Sequence, residues 1–280
     1  LSRGLENPLA REEVIHMTKR SAAEALEYRG FLEEELHELW SRRGEDYFLR
    51  ERAEDIAWHT EAIADHSRHD GALVLVKQAS ESPISNATQI FVHTQDEPNT
   101  FARICAALES LDLSIHDARI YSDTDGGTLD TFFVLKSDGS SLDNHPDNFD
   151  EIGNKIRSSL ADSAVKTVSR HTPRTVKAFT IPTTVQFSSD ESAGLTILEV
   201  TTADRPGLLA RLGSILSARE VSIQGAKIQT LGERVEDIFF LADASGGPLQ
   251  DVKLLSDLEE ELITALGVGQ ASGETTEMSI

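Results

Sequence analysis

Residues 195–233 of the chain read LTILEVTTADRPGLLARLGSILSAREVSIQGAKIQTLGE, and residues 88–127 read TQIFVHTQDEPNTFARICAALESLDLSIHDARIYSDTDGG. The two stretches align at an offset of 108 residues, without a gap, from a first strand through a helix and into a second strand. The identical pairs include Val92/Val200, Thr94/Thr202, Asp96/Asp204, Pro98/Pro206, Ala102/Ala210, Arg103/Arg211, Leu108/Leu216, Ser114/Ser222, Ile115/Ile223, Ala118/Ala226 and Ile120/Ile228. Agreement over this length indicates an internal repeat, so the two copies are expected to share one fold.

Each copy has the pattern of a strand, a turn, a helix, a hairpin and a second helix. Strands are expected at 89–94 and 195–202, and each runs into a turn that contains Asp and Pro. Apolar residues then recur at helical spacing, at Phe101, Ile104, Leu108 and Leu111 in the first copy and at Leu208, Leu209, Leu212, Ile215 and Leu216 in the second. Two β-rich stretches joined by a Gly-containing turn predict a hairpin at 114–135 and at 222–241. A further apolar helix near 149–160 and 249–262 completes a βαββα unit.

This pattern predicts an α+β fold with two tandem ferredoxin-like βαββαβ domains. Such a sheet has a fourth strand, and β-rich segments at 72–77 and 183–187 place the candidate for it upstream of each copy. Residues 1–70 show helical apolar spacing and are expected to form a mainly helical segment. The expected domains are therefore 1–70, 71–174 and 175–280, with a disordered tail from about residue 269.

Composition restricts the classes of partner. The formal net charge is −22, which disfavours nucleic acid and anionic membranes because both bind through clustered Lys and Arg. No apolar run reaches the roughly 18 residues that span a bilayer, and no secretory signal is visible, so a cytoplasmic location is expected. Cys105, the single cysteine, lies on the apolar stripe of a predicted helix and is expected to be a buried thiol. The first residue is not Met, which is consistent with an internal cut in a longer polypeptide.

The motif Asp204-Arg205-Pro206-Gly207 lies where the strand of the second copy meets its helix. Proline suits the first helical turn and glycine allows close approach to the backbone. The helix N-terminus attracts an anion such as a ligand carboxylate, and the carboxylate of Asp204 would pair with an ammonium group. Thr202, Leu208 and Ser222 complete the expected site, with the two hydroxyls on adjoining strand ends. Two interpretations fit the motif: a clamp for a zwitterionic amino acid, or a capped turn with a structural role only.

The βαββα units arranged around an Asp-Arg-Pro-Gly turn resemble the ACT domain, a regulatory module that binds amino acids in many metabolic enzymes. Five further segments resemble the C-terminal part of the bifunctional PII uridylyltransferase/uridylyl-removing family. They are YFLR at 47–50, IAWHT at 56–60, SIHDARI at 114–120, TLDTF at 128–132 and TLGERVED at 230–237. The resemblance implies tandem ACT domains that sense glutamine, in an enzyme that transfers UMP from UTP to a tyrosine of the PII signalling protein and also removes it.

The resemblance also implies what this chain lacks. The transferase and hydrolase domains of the family, with their requirement for Mg and UTP, are expected upstream of Leu1, so the chain alone is expected to have neither catalytic residues nor a metal site. The first copy has Asp96-Glu97-Pro98-Asn99 at its turn, with Ser114 on the following strand. Asn99 replaces the glycine and Glu97 adds negative charge beside a ligand carboxylate, so this site is expected to be the weaker of the two.

Three alternatives remain open from the sequence. The pair of domains could be a scaffold that forms a homodimer or docks PII without a ligand of its own, or the chain could be an autonomous enzyme. A metal site built on His59, His66 and His69 is disfavoured against a solvated or interface face, because a metal needs three or more converging ligands. The dipeptides His69-Asp70 and His116-Asp117 are expected to be incidental.

Overall fold

The computed structural model describes residues 8–66, 71–80, 84–142, 145–162, 165, 181–190, 194–231 and 233–267. The chain divides into two compact units, Leu1–Lys166 and Thr167–Ile280, which we call unit 1 and unit 2. The expected boundary at 174/175, the expected tail and the pair His69-Asp70 lie outside the described residues.

Unit 1 begins with the expected helical segment. Its helices are α1 (Pro8–Glu27), α2 (Glu33–Ser41), α3 (Glu45–Arg50) and α4 (Ala53–Asp65). Helix α2 shows why these residues are helical: three glutamates in the first turn favour the positive end of the helix dipole, and the Glu35 carboxylate accepts the Leu32 N–H at 2.8 Å. Leu36 and Trp40, one turn apart, are buried.

The remainder of unit 1 is a four-stranded antiparallel sheet with two further helices. The strands are β1 (Leu73–Gln78), β2 (Thr88–Gln95), β3 (Leu113–Arg119) and β4 (Gly127–Lys136), and the helices are α5 (Thr100–Ser110) and α6 (Pro146–Leu160). The strand order is β1-β2-β4-β3. Strand β1 pairs antiparallel with β2, from Leu73 opposite His93 to Gln78 opposite Thr88. The fourth strand is therefore supplied from upstream, as the segment at 72–77 predicts.

Unit 2 repeats this arrangement. Its elements are β5 (Thr184–Asp190), β6 (Leu195–Ala203), α7 (Leu208–Ala218), β7 (Ser222–Lys227), β8 (Thr230–Leu231), β9 (Arg234–Ala242) and α8 (Val252–Gly267). The sheet order is β5-β6-β9-β7, and β8 pairs with β9. The same irregularity in strand pairing occurs in both units. The register shifts between Ile115 and Asp117 in β3 and between Ile223 and Gly225 in β7. The predicted α+β class with two ferredoxin-like units is confirmed, and each unit has the chain order ββαββα.

The two sheets differ in how their faces are covered. In unit 2 the side chains of β9 alternate between buried and half-buried, the pattern of an antiparallel sheet with one face packed against helices. In unit 1 nine consecutive residues of β4 are buried, because Phe91 and Leu129 on one face share a hydrophobic cluster with the helical segment. On the other face Phe101 of α5 packs against Phe132, with 6.1 Å between ring centroids. We call the four helices α1 to α4 the helical layer.

Charged side chains join the helical layer to the sheet of unit 1. Glu51 pairs with Arg119 at 2.9 Å, and Asp55 pairs with Lys77 at 2.6 Å. Burial raises the pKa of the Glu51 carboxyl although Arg119 opposes the shift. His59 stacks on Phe91 with 3.7 Å between ring centroids.

The single cysteine and the length of the helices were also considered from the sequence. Cys105 is a free, buried thiol, as predicted. Among the helices of the described residues, none is long and apolar enough to cross a bilayer.

We predict that removing the charge of Arg119 destabilises unit 1 strongly. Arg119→Met leaves the Glu51 carboxylate, whose side chain is 0% exposed, buried without its cation, a change that typically costs about 3 to 5 kcal/mol. Urea unfolding followed by tryptophan fluorescence measures this, since both tryptophans, Trp40 and Trp58, lie in the helical layer.

The matched control is Arg20→Met, because Arg20 pairs with Glu24 on the surface of α1 with side chains 64% and 65% exposed. Exposed pairs contribute up to about 1 kcal/mol. In the double variant Arg119→Met with Glu51→Leu we expect most of the lost stability to return, since the fully buried carboxylate that lost its cation is then also removed. An Arg119→Met variant as stable as Arg20→Met would contradict the prediction.

Candidate functional site

The turn between β6 and α7 holds the backbone in a left-handed conformation. Gly207, the N-cap residue of α7, has φ 78° and ψ 9°. Asn99, at the same place before α5, has φ 66° and ψ 14°. Glycine adopts this conformation freely, and asparagine does so more readily than most residues. The replacement of glycine by asparagine in the first copy therefore preserves the turn.

A buried carboxyl group lies next to the turn of unit 2. Asp237 on β9 is 1% exposed. Its Oδ1 accepts the Gln229 N–H at 3.2 Å, and its Oδ2 has no hydrogen-bond partner among the described residues. Burial raises the pKa of Asp237 to about 7, the Gln229 N–H opposes the shift, and the nearby charge of Asp204 adds to it. Burial also raises the pKa of Asp204, against a backbone hydrogen bond from Arg205. We call Asp204 and Asp237 the carboxyl pair of unit 2.

Unit 1 has the same pair. Asp130 on β4 is 1% exposed, and its pKa is raised well above the ordinary range, first by burial and then by the charge of Asp96. Its Oδ1 has no hydrogen-bond partner among the described residues. The sequence contains a signal for these residues, an aspartate followed by two aromatic residues on a predicted strand. It occurs in both copies, as Asp-Thr-Phe-Phe at 130–133 and Asp-Ile-Phe-Phe at 237–240. Sequence analysis assigned no role to Asp130 or Asp237.

The structure places the other expected residues of unit 2 as follows. Residues 204–208 are contiguous at the turn, with Pro206 exposed and Leu208 buried. The Thr202 hydroxyl lies 2.8 Å from the Thr183 hydroxyl and donates to the Leu266 carbonyl at 3.4 Å. Arg205 donates to the Gly267 carbonyl at 3.5 Å. Thr202 and Arg205 therefore contact the C-terminal end of α8, and sequence analysis did not identify this contact.

Ser222 and Ser114 do not lie at the turns, which corrects the expectation that their hydroxyls adjoin the sites. Ser222 pairs with Ala242 at the far end of β9, whereas Ala203, just before the turn, pairs with Arg234 at its start. Eight residues of strand place these positions about 25 Å apart. Ser114 pairs with Leu135, also at the end of β4 away from its turn. The reason is connectivity, since each helix returns the chain to the opposite end of the sheet before the next strand begins.

The turn of unit 1 differs in its charges. Glu97 accepts a hydrogen bond from Arg103 at 3.0 Å, and Arg103 also donates to the Pro98 carbonyl at 3.2 Å and to the Leu160 carbonyl at 3.1 Å. Arg103 is 2% exposed. The negative charge of Glu97, expected to weaken a carboxylate site here, is thus paired within the fold.

The geometry of unit 2 suits recognition of a ligand that carries both charges. The carboxyl pair attracts an ammonium group, and the N-terminus of α7 attracts a carboxylate. Within the described ranges no three His, Cys, Asp or Glu side chains converge to hold a metal ion. His59, weighed as a metal ligand, is instead buried and bonded through Nδ1 to the Tyr47 hydroxyl at 2.9 Å.

We predict that the stability of unit 2 falls as the pH rises through the pKa of Asp237. The folded-state pKa of about 7 lies above the ordinary value of 3.8, so the folded chain binds the proton more tightly and loses this advantage as the carboxyl ionises. Between pH 5 and pH 8 the loss is roughly 2 to 3 kcal/mol, from 1.36 kcal/mol for each pKa unit. Asp237→Asn should remove this dependence in urea unfolding followed by circular dichroism.

The control is Asp257→Asn, on the exposed side of α8, which should keep the pH dependence of the parent chain. A titration of the Asp237 carboxyl by carbon NMR gives the pKa directly. A midpoint near 4 would contradict the prediction.

Three protein families match parts of the chain. Residues 10–62 match the family described as Uridylyltransferase GlnD fifth domain, and residues 196–261 match the ACT domain. Residues 83–148 match the family described as Plant bHLH transcription factor, ACT-like domain. The first match covers the helical layer, and the other two fall on the repeated units.

Relatives match the chain over nearly its whole length. The Bifunctional uridylyltransferase/uridylyl-removing enzyme of Stutzerimonas stutzeri (strain A1501) is 43% identical over 95% of the chain and 30% of the relative. The enzyme of the same name from Pseudomonas putida (strain GB-1) is 43% identical over 97% of the chain and 30% of the relative. The chain thus spans about a third of the length of these relatives. A solved structure of an unknown protein from Galdieria sulphuraria aligns with 62% of the chain and 91% of that protein, at 18% identity and a TM-score of 0.21, too low to support an argument.

The repeated ACT-like units, the helical layer that matches the fifth domain and the 43% identity over at least 95% of the chain lead to one conclusion. The chain belongs to the bifunctional uridylyltransferase/uridylyl-removing enzyme family, as a relative of its C-terminal region.

Proposed function

We propose that this chain is a glutamine-sensing regulatory module. The observation that carries the proposal is the turn of unit 2, where the carboxyl pair lies beside the N-terminus of α7 in a region that matches the ACT domain. An α-amino acid presents an ammonium and a carboxylate on adjacent atoms. The carboxyl pair and the N-terminus of α7 offer the complementary charges.

The enzyme that such a module would regulate acts on the PII signalling protein. In this proposal the parent enzyme adds a uridylyl group from UTP to a tyrosine of PII, with Mg as cofactor, and removes it again when glutamine is abundant. These reactions belong to domains other than the ones described above, and the cytoplasmic location expected from the sequence is part of the same proposal. Glutamine bound at the turn would favour removal over transfer.

A second candidate function rests on the contacts of the turn itself. The Thr202 hydroxyl and the Arg205 guanidinium bond to the end of α8, which is what a purely structural turn requires. The alternative is that the two units serve as a docking or dimerisation scaffold for PII or for a second copy of the chain. The two functions differ in whether a change at the turn alters the response to glutamine.

We predict that Gly207→Asn weakens glutamine binding at least tenfold, about 1.4 kcal/mol, without unfolding the chain. Asn99 shows that this turn accepts asparagine in the left-handed conformation, so the backbone is preserved while a side chain is added where the ligand would approach. Isothermal titration with glutamine, with glutamate and asparagine as comparison ligands, measures the effect.

The matched control is Asn99→Gly, the reverse exchange in unit 1, which should leave the main glutamine affinity unchanged. Urea unfolding of both variants confirms that they fold. If the folded parent chain does not bind millimolar glutamine but still forms dimers or binds PII, the scaffold function replaces the sensor.

A further inference from the structure

Helix α1 has apolar residues on two of its sides. Its buried side carries Ala22 and Leu26, both 0% exposed, in the hydrophobic cluster of the helical layer. A second set of positions, each three or four residues from the next, lies together on another side of the helix. We call this set the α1 stripe, and it consists of Val14, Met17, Ser21, Ala25 and Tyr28, the residue that follows the helix. None of the five is charged, in a chain whose formal net charge is −22.

The large side chains of the α1 stripe are open to solvent. Val14 is 38% exposed, Met17 is 50% exposed and Tyr28 is 96% exposed. The side of a surface helix that faces water normally carries charged and polar residues. Apolar residues grouped on an exposed surface instead mark a contact with another molecule. The exposure of the α1 stripe therefore indicates a surface that a partner covers.

The order of side-chain sizes along the α1 stripe is close to a palindrome. The large residues Met17 and Tyr28 flank the small residues Ser21 and Ala25. A second copy of α1 that runs antiparallel across the stripe places Met17 on the ring of Tyr28 of the second copy, a favourable sulfur–aromatic contact. Ser21 then lies against Ala25 of the second copy, and these small side chains let the two helices approach closely. The stripe is thus complementary to itself, as a two-fold symmetric contact requires.

Charged side chains along one edge of the α1 stripe favour the same arrangement. Arg20 and Glu24 pair within the helix at 3.1 Å, with side chains 64% and 65% exposed, so both are accessible to a partner. In the antiparallel contact Arg20 lies opposite Glu24 of the second copy, and the symmetry repeats this pair. In a parallel contact each of these side chains would face its own copy, and like charges at such positions repel. The charges therefore select the antiparallel direction.

We propose that the α1 stripe is the contact surface between two copies of this chain, which pack antiparallel through α1. The proposal is independent of the ligand proposed for unit 2, and it assigns a specific surface to dimerisation. One pair of helices is a contact at the small end of protein interfaces. The dimer is therefore reversible.

The first test is analytical ultracentrifugation of the whole chain from about 1 μM to about 1 mM, the range of weak reversible association. The parent chain should form dimers, and Ser21→Arg should weaken dimer formation at least tenfold because a long charged side chain enters the closest part of the contact. His16→Arg adds the same charge at an exposed position of α1 outside the stripe and should change dimer formation less than twofold. A parent chain that stays monomeric over the whole range, or equal dimer formation by the two variants, would overturn the proposal.

Two charge variants test the direction of the helices. Arg20→Glu alone places glutamates opposite each other in both halves of the contact and should weaken the dimer. Adding Glu24→Arg restores opposite charges across the contact and should recover most of the affinity. A double variant that associates no better than Arg20→Glu would contradict the antiparallel contact.

A disulfide test requires no change of charge on the stripe. Met17→Cys with Tyr28→Cys should give disulfide-linked dimers under mild oxidation, because the two positions face each other between copies. Within one helix these positions are about 16 Å apart, whereas a disulfide joins Cα atoms roughly 4 to 7 Å apart. His16→Cys with Glu27→Cys has the same separation at exposed positions outside the stripe and should give no more linked dimer than the parent chain. Equal cross-linking of the two double variants would also count against the proposed contact.

Discussion

The ion pairs between the helical layer and the sheet of unit 1 are the contacts on which the rest of that unit depends. Glu51 is fully buried and needs Arg119, and the Lys77 ammonium that pairs with Asp55 also lies 4.0 Å from the centre of the Trp58 ring. Ion pairs of this kind contribute less net stability than apolar contacts of similar size, but breaking one by removing a partner is costly. The helical layer is thus fixed in one position on the sheet. This explains why β4 is buried on both faces whereas β9 is not.

The two units show how a repeated fold acquires different sites. Arg103 and Arg211 are identical in the alignment, yet Arg103 is buried against the end of α6 and Arg211 is exposed on α7. In unit 2 the end of α8 is instead contacted by Arg205, which stands where unit 1 has Glu97. The cation that donates to the carbonyls at the end of the second helix is therefore Arg103 in unit 1 and Arg205 in unit 2. That exchange places a negative charge, Glu97, at the turn of unit 1 and a positive charge, Arg205, at the turn of unit 2.

Much of the fold could be predicted from the sequence because strand and helix periodicities repeat at a fixed offset. The fourth strand upstream of each copy and the helical segment followed from apolar spacing alone. Less of the candidate site than of the fold could be predicted from the sequence. Ser222 was placed at the turn because it begins a strand, but only the pairing of β7 with β9 shows which end of the sheet that strand end occupies. The role of Asp237 depends on its burial. The position of one aspartate in an apolar strand does not show whether its side chain is buried.

The packing of the helical layer on one sheet was also beyond the sequence, since apolar stripes show that a face is buried without showing against what. In unit 1 the stacked pair His59 and Phe91 joins α4 to β2. In the proposed sensor, an ammonium group at the carboxyl pair of unit 2 would replace the proton that burial favours on Asp237, whose pKa is raised to about 7.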